Sequence, residues 1–280
     1  MTVALVTDST CSLPPEVLAA AGITVVPLQV VLGGRVLRED GEATAAAVVE
    51  ALGAWVPVTT SRPAPAAFAA VYAAAAAAGA DSVVSVHLSA EVSGTYESAR
   101  LAAATAPVPV IVVDSRLVGM GLGFAVQAAA ESRDAGSDVD GVAEAARSAA
   151  AATSVLFYVD TLEHLRRGGR IGSAQALLGS VLAVKPILHL DGGKILPLEK
   201  VRTATKALAR LEELAVERIS GTKVEVAVQH LAAADGAAAL AARLRERVPG
   251  LGDVVVREIG PVVGAHVGPG MLAVVVRSRA

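Results

Sequence analysis

A chain of 280 residues, 54% of them hydrophobic, with a formal net charge of −3, is long enough for one large core or two intimately packed smaller ones. That charge gives no attraction for a phosphate backbone, and 2% aromatic residues leave almost no stacking surface for exposed bases, so nucleic-acid binding is disfavoured. The single cysteine, Cys11, excludes an intrachain disulfide and any multi-cysteine metal site.

The start, Met1-Thr2-Val3-Ala4-Leu5-Val6-Thr7-Asp8, has no basic stretch and turns polar too soon for a signal peptide. From there short β-branched runs alternate with longer Ala/Leu-rich stretches, the pattern of an α/β fold. Strands are expected at Val3–Thr7, Ile23–Leu32, Ser82–His87 and Val108–Val113. Helices are expected at Pro15–Ala21, Ala43–Leu52, Ala64–Ala78, Ser93–Ala104 and Gly119–Arg133. Pro14-Pro15 suits a first helical turn, where the missing amide donor is not needed. This alternation predicts a parallel sheet with right-handed crossovers. The longest apolar stretch, Pro65–Ala80, is mostly alanine and short for a membrane span, so a cytoplasmic protein with at most transient membrane contact is expected.

The style changes near Ala152. Strands are expected at Val155–Val159, Pro186–Leu190, Lys194–Val201, Lys223–Gln229, Asp253–Ile259 and Leu272–Val276, with helices at Thr203–Ile219 and Asp235–Arg247. Asp191-Gly192-Gly193 is a tight hairpin signal, so this half should contain antiparallel pairing. Two α/β domains, 1–152 and 153–280, with a cleft between them follow from this reading.

Several polar clusters sit at element ends. Asp8-Ser9-Thr10 follows the first strand and Asp114-Ser115 the fourth; each suits either a ligand at the carboxyl edge of the sheet or a capped turn leading into a helix. Thr59-Thr60-Ser61-Arg62-Pro63 offers hydroxyls in a segment that Pro63 keeps extended. Hydroxyls can donate to a carboxylate without bringing a second charge into an apolar interior; a cap for the following helix is the other reading. Ser93-Gly94-Thr95-Tyr96 places hydroxyls and free amides at a helix start, which suits an anion or simply a capped first turn. Leu165-Arg166-Arg167-Gly168-Gly169-Arg170-Ile171-Gly172 is a basic, glycine-rich loop suited to phosphate or an acidic partner, or to a solvated helix end. No GxxxxGK[ST] sequence occurs, so it is no Walker nucleotide site. Arg202, at a strand-to-helix junction, adds another cation. His266-Val267-Gly268-Pro269-Gly270 sets a histidine beside a rigid turn, where it can bond a carboxylate or serve the fold alone.

In order, Thr7-Asp8-Ser9-Thr10, Thr60-Ser61-Arg62-Pro63, His87-Leu88-Ser89 with Ser93-Gly94-Thr95-Tyr96, and Asp114-Ser115 with Gly121-Leu122-Gly123 resemble the DegV family. The series continues with Leu165 to Ile171, Lys185-Pro186-Ile187-Leu188, Val201-Arg202-Thr203 and His266 to Gly270. Members of that family serve as lipid-carrying subunits of bacterial fatty acid kinases. The resemblance implies a two-domain fold, a parallel-sheet N-terminal domain and a mixed-sheet C-terminal domain, with a long-chain fatty acid buried between them. It implies a carboxyl-binding network of Thr60 or Ser61, Ser93 and His266, with Arg62, Gly94 and Thr95 as further pocket residues. Arg170 and Arg202 would face a separate kinase subunit that binds ATP, phosphorylates the acid and so feeds phospholipid synthesis. The chain itself would be non-catalytic, with no cofactor and no metal. Three positions depart from the usual pattern: Arg62 stands where many relatives carry glutamine, Ala204 where a basic residue is common, and Val118-Gly119 where a more polar pair is usual.

Three rivals are a serine hydrolase using Ser93 with His266, a self-contained kinase or acyltransferase, which the absence of a recognisable nucleotide loop disfavours, and a lipid store without a kinase partner. Ser93 lacks the G-x-S-x-G elbow, although triads are defined by geometry and not by spacing.

Overall fold

The computed structural model describes residues 2–177, 185–219 and 223–279. The chain begins with β1 (Val3–Asp8), α1 (Pro15–Ala20), β2 (Ile23–Val26), β3 (Gln29–Leu32) and β4 (Arg35–Arg38). Then come α2 (Ala45–Gly53), β5 (Val58–Ser61), α3 (Pro65–Ala77), β6 (Ser82–His87), α4 (Thr95–Ala103) and β7 (Val110–Asp114). Helices α5 (Met120–Asp134) and α6 (Val139–Ala151) lead to β8 (Thr153–Tyr158), α7 (Glu163–Arg167), β9 (Lys185–Asp191) and β10 (Lys194–Val201). The last elements are α8 (Ala204–Arg218), β11 (Val224–His230), α9 (Ala234–Arg247), β12 (Val254–Glu258), α10 (Pro261–Val267) and β13 (Leu272–Ser278).

Strands β2-β1-β6-β7 form a four-stranded sheet, parallel throughout. Side chains alternate across a strand, so Val6 and Val83 meet Phe68 and Tyr72 of α3 and Ala99 of α4 on one face. Leu5, Val84 and Val86 meet Leu122 and Val126 of α5 and Val142 and Ala146 of α6 on the other. Helix α6 had no counterpart in the sequence reading, although Asp138 caps it by accepting from the Gly141 N–H at 2.8 Å.

The second sheet has six strands in the order β10-β9-β8-β13-β11-β12, antiparallel except for the β11–β12 pair. Its β9–β10 hairpin turns at Gly192 and Gly193, both at positive φ, where the sequence predicted it. The same alternation splits its faces. Leu156, Val226, Val228, Val274 and Val276 pack on α8 and α9, while Val155, Phe157, Leu188, Ala227, Ala273 and Val275 join the core shared with the first sheet.

One expectation is corrected here. Ile23–Leu32 is not one strand: Pro27 lacks an amide donor, and the chain turns off between β2 and β3. Strand β3 instead centres a separate antiparallel sheet, β4-β3-β5. This small sheet packs through Leu28 and Val30 on Val48 of α2 and on Val262 and Ala265 of α10. Glu39, just after β4, fastens the same joint. One carboxylate oxygen accepts from the Ser9 hydroxyl at 2.6 Å and the other from the Val262 N–H at 2.9 Å. Burial pushes this carboxyl up to about 7, against those two hydrogen bonds, with the Asp8 carboxylate adding a smaller upward effect.

Candidate functional site

Between the two sheets lies a cavity of about 430 Å³, within the range of roughly 300–1,000 Å³ usual for ligand pockets. Val155 and Phe157 of β8, Leu190 of β9, Ala273 of β13, and Val262 and Val263 of α10 form much of its aliphatic wall. Polar groups come from five separate segments: Thr60, Ser61 and Arg62; Ser93 and Gly94; Arg170; Gln229; and His266.

Pro63 holds the end of β5 extended, as expected, and alternation then separates the two hydroxyls. The Thr60 Oγ1 lies 2.8 Å from Nε2 of His266, 206 positions further on. Ser61, paired with Gln29 in the register, donates to the Gln29 Oε1 at 2.8 Å on an exposed site. The geometry therefore selects Thr60 as the partner of the histidine. Neither hydroxyl caps α3, whose N-cap is Ala64 without a side-chain bond.

His266 sits in the last turn of α10, so the short helix, not the Gly-Pro turn after it, aims the ring. Burial, aided by the Arg170 guanidinium, lowers its pKa to about 4, so the imidazole is neutral near pH 7. Its Nδ1 is buried and has no hydrogen-bond partner among the described residues. With its proton on Nε2, the ring donates to Thr60 and leaves the threonine hydroxyl free to donate to an acid in the cavity. The approach is close: a Cβ on Gly168 would lie 2.1 Å from Nδ1 of His266, and one on Gly268 would lie 2.1 Å from Cδ2 of His164. These two glycines interlock α7 with α10.

Ser93 precedes α4, which starts at Thr95 rather than Ser93. Its Oγ lies 2.9 Å from Oγ1 of Thr95 and accepts the Thr95 N–H at 3.3 Å, so it closes the first turn while still lining the cavity. Thr95 is buried and is not part of the cavity wall. Ser93 and His266 thus bond to different partners, and the hydrolase pairing is not assembled. Arg62 lies over Gly94, its Nη1 donating to that carbonyl at 3.4 Å, and a Cβ there would meet the guanidinium at 1.9 Å.

The two arginines read as partner-facing separate. Arg202 is exposed at the β10–α8 junction, as expected. Arg170 instead lines the cavity, its Nε donating to the Val92 carbonyl at 3.0 Å and its Nη1 to that of Gly168 at 2.7 Å. The physical reason is local: Gly169 at positive φ turns the chain back, and the Arg170 N–H bonds the Leu165 carbonyl. Arg166 and Arg167 lie on α7, paired with Glu163 at 2.6 and 2.7 Å, and Arg167 also stacks over Trp55.

The Asp8 and Asp114 clusters hold the fold together, and neither lines the cavity. The Asp8 carboxylate accepts from the Thr10 N–H and hydroxyl, the Leu88 N–H and Nδ1 of His87. From Nε2 of His87 the chain of bonds runs to the Ser85 hydroxyl and then to Tyr72, all buried. Asp114 accepts the Ala90 and Arg116 N–H groups. Gln229 is a cavity residue the sequence reading passed over. The signal was a polar residue on the face that Ala227 shares, within an apolar strand.

An α/β protein of two sheets enclosing an apolar cavity, with uncharged hydrogen-bonding groups and two arginines in its wall, is the class this architecture defines. Residues 2–279 match the family model described as an uncharacterised protein of the DegV family. A DegV domain-containing protein of Streptomyces coelicolor is 59% identical over 277 residues, 99% of each chain. The chain belongs to the DegV family. A solved structure concerned with fatty acid binding of a DegV family protein from Thermus thermophilus superposes with a TM-score of 0.94 at 34% identity, covering 100% of both chains. DegV of Bacillus subtilis, described as a fatty acid binding protein, gives 0.91 at 35% identity with the same coverage. Among the described residues no helix is long and apolar enough to cross a membrane.

Proposed function

We propose that this protein binds a long-chain fatty acid in the cavity and presents the carboxyl group to a separate ATP-dependent kinase subunit. The observation that carries the reading is an aliphatic cavity furnished with the Thr60–His266 pair, where a neutral imidazole orients a hydroxyl donor. The fatty acid binding described for the Thermus and Bacillus relatives supports it. Burial of an acyl chain contributes about 0.8 kcal/mol per methylene, so a long chain supplies on the order of 10 kcal/mol before ordering costs. Affinity then needs no ion pair at the head. Thr60 donates to one carboxylate oxygen, and the other attacks the γ-phosphorus of ATP held by the partner, giving an acyl-phosphate and ADP for phospholipid synthesis. Ser93 and Gly94 close the same side of the pocket, and the exposed Arg202 belongs to the surface that meets the kinase.

Native mass spectrometry of protein purified from a bacterial host tests the reading. One long-chain fatty acid per chain that survives dialysis is expected, with acyl-phosphate formed only when a fatty acid kinase subunit and ATP are added. A chain that is empty and also ignores added palmitate and oleate overturns it.

A further inference from the structure

Gln229 lies mid-wall on β11, in register with Ala273 of β13, which in turn pairs with Phe157 of β8. Those two neighbours are apolar and, like Gln229, line the cavity. The amide is oriented unambiguously, because the Met120 N–H donates to the Gln229 Oε1 at 2.9 Å. Its Nε2 therefore points its two protons elsewhere, and that atom is buried with no hydrogen-bond partner among the described residues, in a residue only 3% exposed. Gly119, at φ +65, lets the backbone pass beside the amide, where a Cβ would lie 2.4 Å from Oε1. Capping α5 accounts for the oxygen and leaves the donor unexplained. An amide donor stranded in an apolar wall is costly, and a ligand acceptor placed opposite it recovers that loss. Conversely, a hydroxyl or keto group on a buried chain is penalised unless a donor or acceptor meets it.

We propose that Gln229 forms a second polar subsite in the cavity, selecting fatty acids that carry a hydroxyl or keto oxygen partway along the chain. The inference rests on the fatty-acid reading of the cavity. With the carboxyl anchored at Thr60, only a narrow range of chain positions brings an oxygen to Nε2. The preference is therefore positional, unlike a general tolerance of polar chains.

Binding of stearic acid and of a positional series of hydroxystearic acids to the delipidated whole protein, by competition calorimetry, tests this. One or two adjacent hydroxyl positions should bind about three- to tenfold tighter than the other isomers. Gln229→Met, which keeps length and loses both the donor and the acceptor that the Met120 N–H uses, should flatten the series when each isomer is read relative to stearic acid in the same variant, whatever the absolute affinity. In the wild-type protein, the side-chain amide nitrogen resonance of Gln229 should shift with the favoured isomer and not with stearic acid, a readout that needs no variant. A flat series in the wild type, or an amide resonance indifferent to every isomer, overturns the subsite while stearic acid still binds. Failure of stearic acid itself to bind overturns the fatty-acid reading instead.

Discussion

Helix α10 touches two titratable groups displaced in opposite directions, His266 in its last turn and Glu39 against its first. The Glu39 carboxyl is raised from 4.5 to about 7, so the folded state keeps a proton that the unfolded chain releases. Its contribution to stability is complete below pH 4.5 and is lost as pH rises through about 7. His266 is lowered from 6.5 to about 4, so the folded state sheds a proton that the unfolded chain holds. Its contribution is complete above pH 6.5 and is lost as pH falls through about 4. At about 1.4 kcal/mol per pH unit, each amounts to about 3 kcal/mol. The windows overlap and the signs oppose, so in the wild type the two effects largely cancel. Glu39→Gln keeps an oxygen for the Val262 N–H and removes one of the two titrations. Relative to wild type, E39Q should lose about 3 kcal/mol as pH is lowered across the window, and His266→Gln should gain a similar amount. Urea unfolding of the ligand-free protein at half-unit pH steps measures both. A difference from wild type that stays constant within about 1 kcal/mol across the window, in either variant, refutes the reasoning.

Two further outcomes bear on the site. Thr60→Val strands the buried Nε2 of His266 and should weaken fatty acid binding about tenfold, whereas Ser61→Ala, which removes an exposed bond to Gln29, should stay within about threefold; equal losses in a calorimetric titration would contradict the selection of Thr60. Arg170→Ala should reduce the lipid retained through purification, because it opens the cavity wall at Val92 and Gly168, while Arg202→Ala should keep its lipid and lose acyl-phosphate formation with the kinase, a defect partly mimicked by added salt. Full lipid content by mass spectrometry in the Arg170 variant would return that arginine to the partner surface.

Much of the fold was legible because short apolar runs such as strand β6 and turn signals such as the Gly192-Gly193 hairpin carry their structure locally. The small third sheet was not. Its strands are four residues each, too short to show a period, and Pro27 alone marks the break that creates it. Helix α10 was hidden for a similar reason: its seven residues include a proline and a glycine, so Gly260-Pro261 reads as a turn until the proline is seen to occupy the first helical position. At the site, residue types announced Thr60, Ser93 and His266 as candidates, but only tertiary contact decides between Thr60 and Ser61, because alternation along β5 sends neighbouring hydroxyls to opposite sides. Arg170 misled for the same reason. A cation in a glycine-rich loop is exposed by default, and here Gly169 turns it inward.

The joint between the small sheet and α10 also sets a timetable. Glu39 and Val262 are 223 positions apart, and Thr60 and His266 are 206 apart. At about 5–20 residues per second of synthesis, the first partner of each pair waits roughly ten to forty seconds on the ribosome before its counterpart exists. The parallel sheet can pair in that interval, since all four of its strands precede residue 115. Strands β3, β4 and β5 have no such independence, because Leu28 and Val30 find part of their apolar cover only in Val262 and Ala265. The acid-binding end is therefore among the last parts of the molecule to be completed. Strand β13, which joins β8 to β11 and carries Ala273 of the cavity wall, follows α10 in the chain. The nascent protein thus holds a finished parallel sheet until the last residues supply both the centre of the second sheet and the cover of the mouth.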